Sequence, residues 1–95
     1  MKKIRILDCT LRDGGRIINC AFKNQEIKNI SEKLADAGID IIEMGFLRDG
    51  RDVEYLGDTT FFTEVHQITP FLDNKKQNVL YTAFIDYGMC NIDNL

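Results

Sequence analysis

The stretch Leu7-Asp8-Cys9-Thr10-Leu11-Arg12-Asp13-Gly14-Gly15 sets a guanidinium beside a carboxylate, just after an apolar, β-favouring run from Ile4 to Leu7. Charges at the end of a strand are costly to bury without partners. The Asp13 carboxylate has the chemistry to hold a divalent metal, and Arg12 can hold negative charge that develops on a substrate oxygen. The glycines let the backbone turn sharply and let a ligand approach it closely. The competing reading is a strand-end salt bridge above an ordinary Gly-Gly turn, because ion-pair networks imitate sites.

A second carboxylate, Glu43, interrupts the otherwise apolar stretch Ile39 to Phe46. Continuous apolar character suits a parallel strand buried on both faces. A period of two puts Glu43 with Ile41 and Gly45 on one face, and Ile42, Met44 and Phe46 on the other. If the second set meets helices, Glu43 points inward, where a carboxylate needs an Arg or a metal-bound partner. The alternative is a Glu43 that faces solvent on an edge strand or pairs locally with Arg5 or Arg12.

The elements that must position these groups follow from periodicity and end signals. Residues 3–9 read as strand one. Positions 14–23 read as irregular, with Ile17, Ile18 and Phe22 packing under the loop. Asn24 is the expected N-cap of a helix over 25–37, with Glu26 suiting the helix dipole. Ile27, Ile30, Leu34 and Ala37 form its apolar face, and Gly38 suits the left-handed position after its end. Residues 47–58 read as a polar loop whose arginines, Arg48 and Arg51, could hold a substrate carboxylate or phosphate; a charge-mixed, solvated loop is the competing reading. A second helix is expected from a cap at Asp58 or Thr59. Phe61, Val65, Ile68 and Leu72 would be its buried stripe, with a kink or restart at Pro70 and Thr69 as a local cap. Asn74 to Gln77 reads as a turn and Val79 to Ile85 as strand three, ending at Asp86. The order β-α-β-α-β implies neighbouring parallel strands. Arg12, Asp13, the 47–58 loop and Asp86 then share the C-terminal edge, where sites in such folds lie.

Ninety-five residues allow one small domain, and a net charge of −3 makes no electrostatic case for nucleic acid or acidic membranes. No apolar run approaches the roughly 18 residues of a membrane span, and Met1-Lys2-Lys3 leads into a strand rather than a signal peptide. The three cysteines, Cys9, Cys20 and Cys90, lack paired spacing, which points to reduced thiols and a cytoplasmic protein. Cys9, on strand one without a His neighbour, reads as an inert core thiol. His66 is the one histidine and reads as a surface residue.

Asp8-Cys9-Thr10-Leu11-Arg12-Asp13-Gly14 resembles the first-strand signature D-x-T-L-R-D-G of the DRE-TIM metallolyases. That superfamily includes hydroxymethylglutaryl-CoA lyase, isopropylmalate and homocitrate synthases, and the 4-hydroxy-2-oxovalerate aldolases. Glu43-Met44-Gly45-Phe46 resembles its second-strand E-x-G-F. The segments Arg12 to Phe22 and Tyr55 to Phe62 look most like aldolase-like relatives of 4-hydroxy-2-oxovalerate aldolase. The resemblance implies a TIM (β/α)8 barrel of about 250 residues. Residues 1–95 would be the first three βα units of an incomplete barrel, the N-terminal piece of an aldolase-type domain, inactive alone. It implies C–C bond cleavage or formation on a small 2-oxo acid through a metal-stabilised enolate.

In that scheme Arg12 stabilises the enolate oxygen and Glu43 orients Arg12. Asp13 is one ligand of a Mn²⁺ or Mg²⁺ ion whose H-x-H partners have no counterpart here, so this chain alone is expected to bind metal poorly. Arg12, Gly14 and Arg16 would contact substrate. Arg16 stands where the hydroxy-oxovalerate aldolases carry a His, and a guanidinium cannot accept a proton at neutral pH, so an anion-binding role replaces that of a base. A different class of reading is a catalytically dead relative acting as an interaction module, self-associating through open strand edges. A receiver-type phosphoacceptor module using Asp8 and Asp13 would need further strands and a late Lys.

Overall fold

A computed structural model describes residues 4–18, 20–48 and 59–85. The expected Asp86 strand end, the 49–58 part of the loop, the cap at Asp58, and Cys90 lie outside the described residues. Four strands form one parallel sheet: β1 (Leu7–Asp8), β2 (Ile41–Leu47), β3 (Phe61–Phe62) and β4 (Leu80–Phe84). One α-helix, α1 (Asn24–Asp36), connects β1 to β2. The sheet is open, and β2 is its centre. Ile41 pairs with Leu7 on one side and Leu80 on the other, and Phe46 pairs with Phe61 and Phe84. β1 and β3 therefore share one edge of β2, and β4 runs along the opposite edge.

The entry to β2 is fastened by one residue. Asp40 accepts the Ile6 N–H on its carboxylate at 2.8 Å and the Leu80 N–H on its carbonyl at 2.9 Å. That ties three strands in register at their N-terminal ends. Helix α1 follows the expected span, but its cap differs. Lys23 occupies the cap position and Asn24 is already helical; the free Lys23 N–H is taken by the Glu26 carboxylate at 2.8 Å. Glu26 thus does the end-satisfying work expected of Asn24, from the third helical position. At the other end Gly38 has φ +91°, and the Ile39 N–H reaches back to the Leu34 carbonyl at 3.1 Å. This is the six-to-one closure that a left-handed glycine permits. The buried face is Ile27, Ser31 and Ala35, flanked by Ile30 and Leu34, whereas Ala37 is exposed. That face covers Ile42, Met44, Leu47 and Phe62 of the sheet.

The second α-helix does not form. After Phe61–Phe62 pair as β3, the chain makes two short 3₁₀ turns, Val65–Gln67 and Thr69–Leu72. Side chains take the backbone groups a helix would need. Thr59 Oγ1 accepts the Phe61 N–H at 3.1 Å, and Gln67 Oε1 accepts the Thr63 N–H at 2.7 Å. Pro70 lacks an N–H altogether. Of the expected stripe only Ile68 and Leu72 reach the core; Val65 is exposed and Phe61 lies against Phe46, while Phe62 and Phe71 pack on the core instead. Nor do Ile17 and Ile18 pack under the first loop: residues 14–18 form a 3₁₀ turn, with Ile17 93% exposed, and Phe22 alone of the three is buried. None of the described helices is long and apolar enough to cross a membrane.

Candidate active-site rim

The turn after β1 is built to hold Arg12 still. Asp8 Oδ1 accepts the Thr10 N–H at 2.8 Å, and Asp8 Oδ2 accepts the Thr10 hydroxyl at 3.1 Å. The Arg12 and Gly14 N–H groups both donate to the Cys9 carbonyl, at 3.1 and 3.0 Å. Leu11 is fully buried and anchors the turn in the core. Asp8 is therefore an internal cap of the turn, and that use of its carboxylate argues against a phosphoacceptor. Gly14 has spent its N–H on Cys9, so it can offer substrate only close approach. Gly15 is required by packing: a β-carbon there would lie 2.7 Å from the Phe22 ring. Behind the turn, buried Cys20 adopts φ 56° and accepts the Thr60 N–H on its carbonyl at 3.0 Å, tying the loop to β3.

Strand β2 brings Glu43 to meet Arg12. Arg12 Nε and Nη2 both donate to Glu43 Oε1, at 3.2 and 2.9 Å. The residues are 31 apart in sequence, and Glu43 is 8% exposed. The pair is charge-assisted, and its carboxylate, hydrogen-bonding the guanidinium, raises the Arg12 pKa above its ordinary value. A cation whose folded-state pKa is raised keeps its charge, and its share of stability, until pH climbs past that pKa. Arg12 is thus a fixed positive charge and not a base at any working pH. On its other side Arg12 Nη1 lies 3.8 Å from Asp13 Oδ1, and Arg16 Nε lies 3.2 Å from that same oxygen. Arg12, Asp13, Arg16 and Glu43 therefore lie together at the C-terminal rim of the sheet.

One expectation about β2 is overturned. Strict alternation puts Phe46 with Ile42 and Met44 on the helix side. The register against β4 shifts between Glu43 and Phe46, and Gly45 sits at φ +153°. This irregularity turns Phe46 to the face of Glu43, and Leu47 takes its place in the helix-side core. Only glycine fits: a β-carbon would run into the Thr60 carbonyl and stand 2.8 Å from Thr60 Cβ. The E-x-G-F pattern thus has a geometric content. The glycine breaks the period of two, so that the carboxylate and the phenyl three residues later serve one surface.

That surface adds Phe84, which the sequence reading passed over, and brings Arg48, one of the two loop arginines expected to hold an anion, onto the same rings. The Arg12 guanidinium lies 4.4 Å from the Phe84 ring centroid, on β4. Phe84 meets Phe46 edge-on at 6.0 Å, and Phe46 stacks on Phe61 at 5.1 Å. Arg16 lies 5.1 Å above the Phe46 ring, and Arg48 covers both Phe46 and Phe61 at 4.6 and 4.7 Å. A phenylalanine at the C-terminal end of an apolar strand was the available signal for Phe84. Cys9 is half-buried in the turn that carries Arg12, whereas exposed His66 pairs with Glu64 at 2.8 Å, apart from this rim. Among the described residues no three His, Cys, Asp or Glu side chains converge on a point that could hold a metal. Asp13 is 59% exposed and supplies one carboxylate, whereas Mg²⁺ or Mn²⁺ takes about six ligands. The described residues therefore do not complete a divalent-metal site.

The parallel α/β sheet thus sets an arginine, clamped by a buried glutamate, toward its C-terminal edge, where sites in such folds lie. The HMGL-like family model matches residues 3–84, and the chain belongs to that family, the group that its two motifs resemble. A 2-isopropylmalate synthase of Saccharolobus solfataricus is 39% identical over 64 residues, covering 67% of this chain and 16% of its own. That of Sulfolobus acidocaldarius is 31% identical over 94 residues, covering 96% of this chain and 24% of its own. A 4-hydroxy-2-oxovalerate aldolase of Carboxydothermus hydrogenoformans is 49% identical over 43 residues, covering 45% of this chain and 13% of its own. The chain thus spans about a sixth to a quarter of the length of the first two relatives. No solved structure matches it.

Proposed function

We propose that this chain forms the opening strands of a (β/α)8 barrel that makes or breaks a C–C bond in a 2-oxo acid through an enolate. One observation carries the reading: Arg12 is held from two neighbouring strands at once, by Glu43 of β2 and by the ring of Phe84 on β4. A side chain so constrained is preorganised for charge that develops late, which is where an oxyanion partner gains most. In this reading Arg12 receives the enolate oxygen. Glu43 fixes its orientation without touching substrate. Gly14 allows close approach, and Arg16 receives an anionic group of the substrate. Asp13 contributes one oxygen to a divalent ion, Mn²⁺ or Mg²⁺, when the rest of its ligands are supplied. The synthase and aldolase names of the relatives are compatible with both directions of bond chemistry, so lyase is the finer part of the proposal. A cytoplasmic setting accords with the free thiols of Cys9 and Cys20.

The test is enolisation. The complete barrel that these strands open, in D₂O with Mn²⁺ or Mg²⁺, is expected to exchange the C3 protons of a 2-oxo acid, followed by NMR, while residues 1–95 alone stay silent; failure of the complete barrel across pyruvate, 2-oxobutyrate and 2-oxoglutarate would sink the reading. A second reading, the interaction module, has an observation of its own. Leu7 and Leu80 flank Ile41 across the sheet and stay 51% and 58% exposed. Mass by light scattering separates the two: a catalytically silent oligomer favours the module.

A further inference from the structure

We infer that Phe84 is a positioning residue for the proposed reaction, and that with Glu43 it leaves the Nη1 edge of Arg12 as the place where the reacting oxygen is received. The inference rests on the reading above that this oxygen comes to Arg12. Glu43 Oε1 accepts from Nε and Nη2 of the guanidinium. The Phe84 ring lies against one face of it, with the ring centroid 4.4 Å from the central carbon. Nη1 makes no hydrogen bond among the described residues, and Asp13 Oδ1 stands 3.8 Å away, beyond hydrogen-bond reach. One carboxylate oxygen leaves a guanidinium free to swing about it. A ring against the flat side removes that freedom, because the cation is drawn to the negative face of the ring while its in-plane donors stay at the edge.

Core packing does not account for Phe84. Tyr81 and Ala83 of β4 pack on the buried cluster that α1 covers, whereas half-buried Phe84 does not. It is seated edge-on against fully buried Phe46, at 6.0 Å and 85°. That seat depends on the irregularity in β2. Thr82 pairs with Glu43, and two residues later Phe84 pairs with Phe46, three residues after Glu43. In regular register Phe84 would stand opposite Gly45, which has no side chain to steady a ring. The extra residue in β2 brings a buried phenyl there instead. Gly45 thus places Phe46, Phe46 seats Phe84, and Phe84 holds the plane of Arg12.

The experiment uses the complete barrel that these strands open, as wild type, Phe84→Leu and Phe84→Tyr. Leu keeps an apolar side chain and removes the ring; Tyr keeps the ring. The Arg12 Nε–H signal is followed by NMR with labelled arginine and assigned by its loss in Arg12→Lys. It is expected to move downfield in Phe84→Leu, where the ring current is gone, and to stay in place in Phe84→Tyr. C3 exchange of a 2-oxo acid is expected to fall about tenfold in kcat with KM nearly unchanged in Phe84→Leu, the size of a desolvated cation–π contact, and to return in Phe84→Tyr. Circular dichroism checks folding, and Phe84→Met serves where Phe84→Leu does not fold. An Arg12 signal indifferent to loss of the ring, a Phe84→Tyr as slow as Phe84→Leu, or a loss through KM alone overturns the positioning role. The two readings fail separately. Absent C3 exchange in wild type sinks the enolate chemistry, while the Arg12 signal still decides whether Phe84 holds the guanidinium. Wild-type exchange rates in Phe84→Leu sink the positioning role alone.

Discussion

Two carboxylates flank Arg12, and they are held in opposite ways. Glu43 comes from the middle of the central strand, is 8% exposed, and takes two N–H groups of the guanidinium on one oxygen. Asp13 comes from the turn after β1, is 59% exposed, stands 3.8 Å from Arg12, and shares its oxygen with Arg16. Burial decides the difference. A desolvated carboxylate is expensive unless its partner stays, so Glu43 and Arg12 hold each other in place. A solvated carboxylate loses little by exchanging partners, so Asp13 is free to turn toward a ligand. In the proposed reading one acid positions Arg12 and the other is an adjustable metal ligand.

The largest effect tests what both acids depend on. In the complete barrel, Arg12→Ala is expected to lower C3 exchange of a 2-oxo acid by about 100- to 1000-fold, the loss associated with one oxyanion donor. A fall below tenfold would mean that the buried pair is structural only. Next comes the irregularity that turns Phe46 to the face of Glu43. Gly45→Ala should cost about 3 kcal/mol in urea unfolding, from backbone strain and the clash with Thr60. Gly14→Ala, whose new carbon would find nothing nearer than 3.7 Å, should be mild beside it. Equal costs would remove the special standing of Gly45.

Glu43→Gln keeps the shape and removes the charge. It should cost about 1–2 kcal/mol of stability and, in the complete barrel, lower the rate through kcat more than KM, because it loosens Arg12 without touching substrate. A pure KM effect would make Glu43 a binding group. The smallest effect is Asp13→Asn on stability, expected within about 0.5 kcal/mol because the pair is exposed. A loss as large as that of Glu43→Gln would erase the contrast between the two acids.

Much of the rim was legible before any fold was known. Arg12, Asp13 and Glu43 stood out because charges at strand ends and within apolar runs need a reason. Helix α1 was legible from its stripe and from Gly38, although its cap belonged to Glu26 acting on Lys23. Residues 59–72 misled, because an apolar stripe at helical spacing is also what two 3₁₀ turns on a core present. The competition was settled by Gln67, whose side chain takes the Thr63 N–H, and by Pro70, which has no N–H to give a helix.

By itself the chain determined its local chemistry: a turn that caps itself through Asp8, a helix with a left-handed stop, an arginine and an acid just after β1, and a second acid within an apolar strand. Those depend on neighbours a few residues away. Only the tertiary structure decided that Arg12 meets Glu43 across 31 residues, that Gly45 rotates Phe46 onto the same face, and that Phe84 and Arg48 join them. The reason is that a sheet's faces are set by pairing. One irregular residue in the central strand reassigns every side chain after it, and periodicity carries no record of where that happens.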